Sequence, residues 1–150
     1  MTLTELLATL AAQRAALRRK ITPEAAHAFA RTVDAVGYYD ARHITQAHTT
    51  LAELVGEVRH YYDVVLKREP KDAAAINNLG VFISNHGDPR RARPYFARAA
   101  RLAPGDRNIH ENLRIADILM HKSETRWHDY SDALKPGPHT LVAYFDAHAM

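Results

Sequence analysis

Pro70, Pro104 and Pro138 stand 34 residues apart, and each is followed two positions later by a side chain suited to starting a helix: Asp72, Asp106 and Thr140. Proline ends a helix, and Asp or Thr beyond it caps the next one. The chain is therefore punctuated at a fixed interval, and an interval of that size holds one helix–turn–helix unit. A single unit of this kind cannot bury its own apolar face, so successive units must stack. The spacing constrains the chain to a row of helical pairs.

The central interval, residues 73–106, carries Leu79-Gly80, Gly87, Ala92, Phe96, Ala99 and Pro104. Gly80 and Ala92 are short where paired helices must approach to about 8–10 Å. This set resembles the tetratricopeptide repeat consensus of Leu-Gly, an inter-helix Gly, a small Ala, an aromatic, a second Ala and a closing Pro. Ile76 stands where that family often has Trp, and Ile83 where it has Tyr, and both keep the position apolar. Residues 39–72 keep Tyr62, Val65 and Pro70 in phase but have Thr45-Gln46 for Leu-Gly. Residues 107–140 keep Leu113, Tyr130, Ala133 and Pro138, with Arg114 for Gly and Arg126 for the small Ala. End repeats of a stack are atypical because one side faces solvent. The resemblance spans about two-thirds of the chain, is strict in one repeat, and implies an all-α fold, a short right-handed α-solenoid.

Helix starts can be placed without the family. Asp72, Asp88, Asp106 and Ser123 are natural N-caps, and Pro89 follows Asp88 at the favoured first position. Thr22-Pro23-Glu24 opens a helix running to about Val36. Before it, Leu3, Leu6, Leu7, Leu10 and Leu17 share one helical face, with Arg14, Arg18, Arg19 and Lys20 toward the end where cations suit the helix dipole. The expected organisation is an N-terminal helical hairpin (1–38), three repeats (39–72, 73–106, 107–140) and a last segment (141–150), all in one structural domain. That last segment is expected to be a capping helix, although it is apolar and β-prone enough to dock on a second copy. No cysteine is present, which removes disulfides and thiol chemistry. Positive charge follows the first apolar stretch, the reverse of a secretory signal, and no apolar run nears the roughly 20 residues of a membrane span. A cytoplasmic location is expected.

All five asparagines, Asn77, Asn78, Asn85, Asn108 and Asn112, fall in the first helices of the second and third repeats. Asn is a poor helix-interior residue and so asks for a reason. The spacings from Asn78 to Asn85 and from Asn108 to Asn112 follow single helical faces. In tetratricopeptide arrays the first helix of each pair lines a concave groove, which implies that Asn78 and Asn112, 34 residues apart, stack across adjacent repeats. A carboxamide offers a donor and an acceptor, the complement of a peptide unit. The pattern resembles the asparagine ladders with which some members hold extended peptides regardless of side chain. The expected groove site is these five residues flanked by His43 and Glu111. Ile44 takes the matching place in the first repeat, so the ladder has two rungs. The bland alternative is that these amides bond neighbouring helices or face water. The resemblance does not extend to members that clamp acidic C-termini, because His43, Ala47, Asn108 and Asn112 stand where cations and other clamp residues would be needed.

Other chemistry is weaker. Arg90, Arg91, Arg93, Arg98 and Arg101 form a basic stripe, and the pI is about 9.3, yet the net charge is only +3. Beyond Tyr95-Phe96 no aromatics interleave the stripe, so a solvated outer face is expected over an RNA-binding one. The ten histidines include no i, i+4 pair in the helices considered: His43 and His48, and His121 and His128, are wrongly spaced. His139, Asp146 and His148 would converge only if the tail folded back, so no metal and no cofactor are expected. There is no glycine-rich phosphate loop and no nucleophile motif. Asp63 with Glu69, and Asp129 with Asp132, read as solvating carboxylates. The expectation is a non-catalytic protein–protein interaction module, an adaptor, scaffold or small chaperone, that grips an extended peptide or partner helix. Self-assembly into a homo-oligomer through 141–150 is the structural alternative, and RNA binding is the electrostatic one. Nucleic acid and membrane are not the expected partners.

Overall fold

A computed structural model describes residues 1–87 and 89–120. These form seven α-helices and one 3-10 turn, with no strand among the described residues. In order they are α1 (Leu3–Arg19), α2 (Pro23–Val36), α3 (Ala41–Gln46), α4 (Leu51–Arg68), α5 (Ala73–His86), the 3-10 turn Pro89–Ala92, α6 (Arg93–Leu102) and α7 (Arg107–Met120). The expected all-helical class is what the described chain shows. Asp88, the second half of the third interval with Ser123, and the segment 141–150 lie outside the described residues, along with the expectations attached to them.

Side-chain caps set most helix starts. Thr2 and Glu5 form a reciprocal capping box on α1, at 3.0 and 3.1 Å. Thr22 accepts from the Ala25 amide at 3.1 Å, with Pro23 at the first turn of α2. Thr50 accepts from the Glu53 amide at 3.1 Å to open α4. Asp72 does the same for α5 from Ala75 at 3.0 Å, and Asp106 for α7 from Asn108 and Ile109 at 3.0 and 3.1 Å. Each cap satisfies amides that the first helical turn leaves without partners. Only α6 starts without a side-chain cap, because the 3-10 turn feeds directly into it.

The chain divides into two compact units, Met1–Pro70 and Lys71–Met150. In the first, α2 packs against both α1 and α4. Leu10 and Leu17 of α1, Phe29, Val33 and Val36 of α2, and Leu54, Val58 and Val65 of α4 are all buried there. Residues 39–70, expected as most of the first repeat, thus lie in this unit. They supply a six-residue helix, α3, and the long α4. α3 is cut short by His48, whose φ of 62° places it in the left-handed region that glycine normally fills.

In the second unit α6 packs against both α5 and α7. The α5–α6 approach depends on Gly80: a Cβ there would lie 2.9 Å from Phe96 Cε1 and 3.1 Å from Tyr95 Cβ. Phe96, Ala92 and Ala99 are fully buried opposite it. α5 is unusual in being buried over ten consecutive residues, Ala75 to Ser84. A helix closed on every face normally carries only apolar side chains, yet this one includes Asn77, Asn78 and Ser84.

Candidate functional site

Two of those polar residues of α5 meet one from α7. Asn112 Nδ2 donates to Asn77 Oδ1 at 2.8 Å, and Asn77 Nδ2 donates to Asn78 Oδ1 at 3.2 Å. The result is a head-to-tail chain of three carboxamides joining α7 to α5. Asn77, Asn78 and Asn112 are 0%, 3% and 0% exposed. The 34-residue spacing pairs Asn112 with Asn78, whereas the direct bond goes to Asn77 and reaches Asn78 through it.

A linear chain of amides ends in one donor and one acceptor. Asn78 Nδ2 and Asn112 Oδ1 are those ends, and neither finds a hydrogen-bond partner among the described residues. Turning all three amides over would exchange the ends but leave the same pair, one donor and one acceptor. A third polar atom, Ser84 Oγ of α5, is likewise buried with no hydrogen-bond partner among the described residues. Leaving such a group buried and unmade costs about 1–3 kcal/mol. Native chains carry few of these groups, and here three share two helices.

The remaining expected groove residues are placed differently. Asn85 is half-buried near the end of α5, and Asn108 is half-buried in the first turn of α7. Glu111, also half-buried, receives both Arg114 Nε, at 3.0 Å, and Arg114 Nη2, so its carboxylate faces a cation on its own helix. His43 is exposed on α3, in the first unit. Of the expected residues, Asn77, Asn78 and Asn112 are linked to one another by these hydrogen bonds. In the basic stripe, Arg93 is tied to Asp117 of α7 by an ion pair and hydrogen bond.

One polar cluster in the first unit has no counterpart in the sequence reading. Arg14 of α1 makes a two-pronged pair with Glu57 of α4, Nε at 2.7 Å and Nη2 at 2.8 Å. The Tyr61 hydroxyl donates to the same carboxylate. Phe29 of α2 completes the cluster: the Arg14 guanidinium lies 5.6 Å from its ring centre, and Tyr61 meets it edge-on at 5.2 Å. Burial pushes the Glu57 carboxyl up. The hydrogen bonds from Arg14 and Tyr61, with the positive charges of Arg14 and Arg18, outweigh that and hold it below the usual carboxylate range. Burial, then the bond to Glu57, pushes the Tyr61 hydroxyl up to about 12. The 43-residue separation of Arg14 and Glu57 leaves no local pattern from which to find the pair.

Among the described residues no group of His, Asp and Glu is placed to hold a metal ion, and no helix is long and apolar enough to cross a membrane. No family model matches the chain, and neither a curated protein nor a solved structure matches it.

Proposed function

We propose that this chain is a non-catalytic interaction module of tetratricopeptide type, with α5 and α7 as the first helices of adjacent repeats, and that it holds an extended polypeptide by its backbone. The observation that carries this reading is the amide chain Asn112–Asn77–Asn78, with its open donor and open acceptor. A peptide unit supplies one carbonyl and one N–H, the two groups these ends lack. Both ends are closed to solvent as they stand, so a ligand enters only if the terminal amides swing to meet it. The desolvation of those ends has already occurred on folding, and a ligand that supplies their partners recovers it. Recognition of this kind is indifferent to ligand side chains, which suits an adaptor or a small chaperone.

The test is affinity capture from host lysate, with and without nuclease, using wild type and the Asn78→Ala/Asn112→Ala variant, both checked as folded by circular dichroism. Each lost hydrogen-bonding amide removes about 0.5–1.5 kcal/mol, so the double variant weakens a groove-bound protein by about 5- to 150-fold. A protein partner retained at full strength by the variant takes the site away from α5 and α7. Capture that disappears with nuclease replaces a peptide ligand with a nucleic acid.

A further inference from the structure

The outer side of α6 carries a line of arginines that the peptide reading does not use. From Pro89 to Asp106 the sequence holds Arg90, Arg91, Arg93, Arg98 and Arg101 against a single carboxylate, Asp106 itself. Asp106 is engaged as the cap of α7, and Arg93 is paired with Asp117, so neither counts toward a free surface. Phe96, Ala99 and Ala100 are the buried side of α6, while Arg98 and Arg101, three apart, stand together on the exposed side. Arg91 is exposed two turns before Arg98, and exposed Arg107 opens α7 just beyond Arg101. Among the described residues, Arg91, Arg101 and Arg107 form no ion pair.

The two units start their helices differently. α1, α2 and α4 each have a glutamate in the first turn, where the positive end of the helix dipole favours an anion. α6 and α7 have no acid there, and their first residues are Arg93 and Arg107. Positive charge is gathered where it costs the helices stability, and an anion laid along this side relieves it.

We propose that this side of α6, with Arg107, docks on the phosphate backbone of duplex DNA without reading its sequence. The lack of interleaved aromatics tells against single strands, which are held by stacking of their bases. A duplex turns its phosphates outward and asks for cations alone. The cations here are all arginines, whose planar fork matches a phosphate. Arginine has no acceptor, so these side chains offer nothing to the proton of a 2′-hydroxyl, the group by which proteins tell RNA from DNA. From Arg91 to Arg101 is about 15 Å along the helix, and that length of duplex axis carries roughly nine phosphates.

The test is fluorescence anisotropy of the whole chain with a labelled DNA duplex of about 20 base pairs over about 50–200 mM salt. Single-stranded DNA and duplex RNA of the same sequence are the comparisons. Duplex DNA is expected to bind with a Kd of roughly 10–100 μM at about 150 mM salt, within the range of sequence-independent binding. The slope of log K against log salt should be about −3, as for three or four neutralised phosphates. Arg91→Gln/Arg101→Gln/Arg107→Gln should weaken binding at least about tenfold at about 50 mM salt and flatten the slope to about −1 or less. Arg19→Gln/Arg59→Gln/Lys67→Gln, an equal loss of exposed charge in the first unit, should change it less than about threefold. Asn78→Ala/Asn112→Ala should leave it unchanged, so this site and the peptide site stand or fall separately. With wild type alone, no binding below about 1 mM at about 50 mM salt, or a slope near zero, overturns the proposal. So does single-stranded DNA or duplex RNA bound more tightly than duplex DNA, or an equal loss in the two triple variants.

Discussion

A glycine inside a helix lowers stability unless a neighbour needs its bare Cα, and α4 and α5 each carry one. Around Gly56 nothing lies within 4 Å of a Cβ, so it gains nothing from lacking a side chain. Gly56→Ala is expected to raise unfolding free energy by about 0.5–1 kcal/mol, from backbone entropy alone. At Gly80 a Cβ meets the ring of fully buried Phe96 at 2.9 Å, and that ring has no room to retreat. Overpacking of this kind costs about 1–3 kcal/mol, of which alanine's helix propensity returns about 1, so Gly80→Ala should destabilise. Urea unfolding of the two variants must move in opposite directions; the same sign for both removes the close-approach account of Gly80. The role of Gly80 was legible because Leu79-Gly80 falls within a spaced motif. The asparagines were legible as a group but not in their pairing. The repeat period matches Asn112 with Asn78, whereas the direct bond goes to Asn77, about 100° around the helix, because spacing aligns equivalent positions and does not say which neighbouring side chain reaches across.

At the scale of elements, the Arg14–Glu57–Tyr61 cluster ties α1 to α4, with Phe29 of α2 in contact. The tie responds to pH at both ends of the scale. The Glu57 carboxyl is lowered in the folded state, so its contribution is present above the ordinary carboxylate range and is lost as pH falls through the folded value. The Tyr61 hydroxyl is raised to about 12, so its contribution is present below about pH 10 and is lost as pH rises toward 12. Tyr61→Phe is expected to lower stability near neutrality by about 0.5–1.5 kcal/mol and to flatten the alkaline fall. Thermal melts of both proteins from pH 7 upward check this, and an unchanged alkaline slope in the variant excludes Tyr61 as its source. Helix starts were well marked in the sequence, since Thr22-Pro23, Asp72 and Asp106 cap as their residue types require. The stop of α3 was not. It depends on a histidine in a glycine conformation, and nothing in residue type announces that.

At the scale of the molecule, the chain parts into its two units at Pro70 and Lys71, the first of the evenly spaced prolines. That punctuation was visible as a boundary between helical pairs. That α4 would take α2 as a packing partner was not visible, because it depends on contacts between residues far apart in sequence. Each unit has its own buried residues, so damage to one core should be felt first in that unit. Hydrogen exchange on Gly80→Ala is expected to accelerate in α5, α6 and α7 while α1, α2 and α4 keep wild-type protection. Equal acceleration throughout would mean that the chain opens as one cooperative body.

The three linked amides also bear on how this sequence can drift. Losing Asn112 or Asn78 strands one neighbour's group, while losing Asn77 strands groups on both sides. Exchanging all three together for apolar side chains of similar shape removes both shared bonds without stranding either half of them, which can cost far less than losing one member. The intermediate sequences are less fit than either end, so the trio forms an epistatic lock: its members must change together or stay as they are.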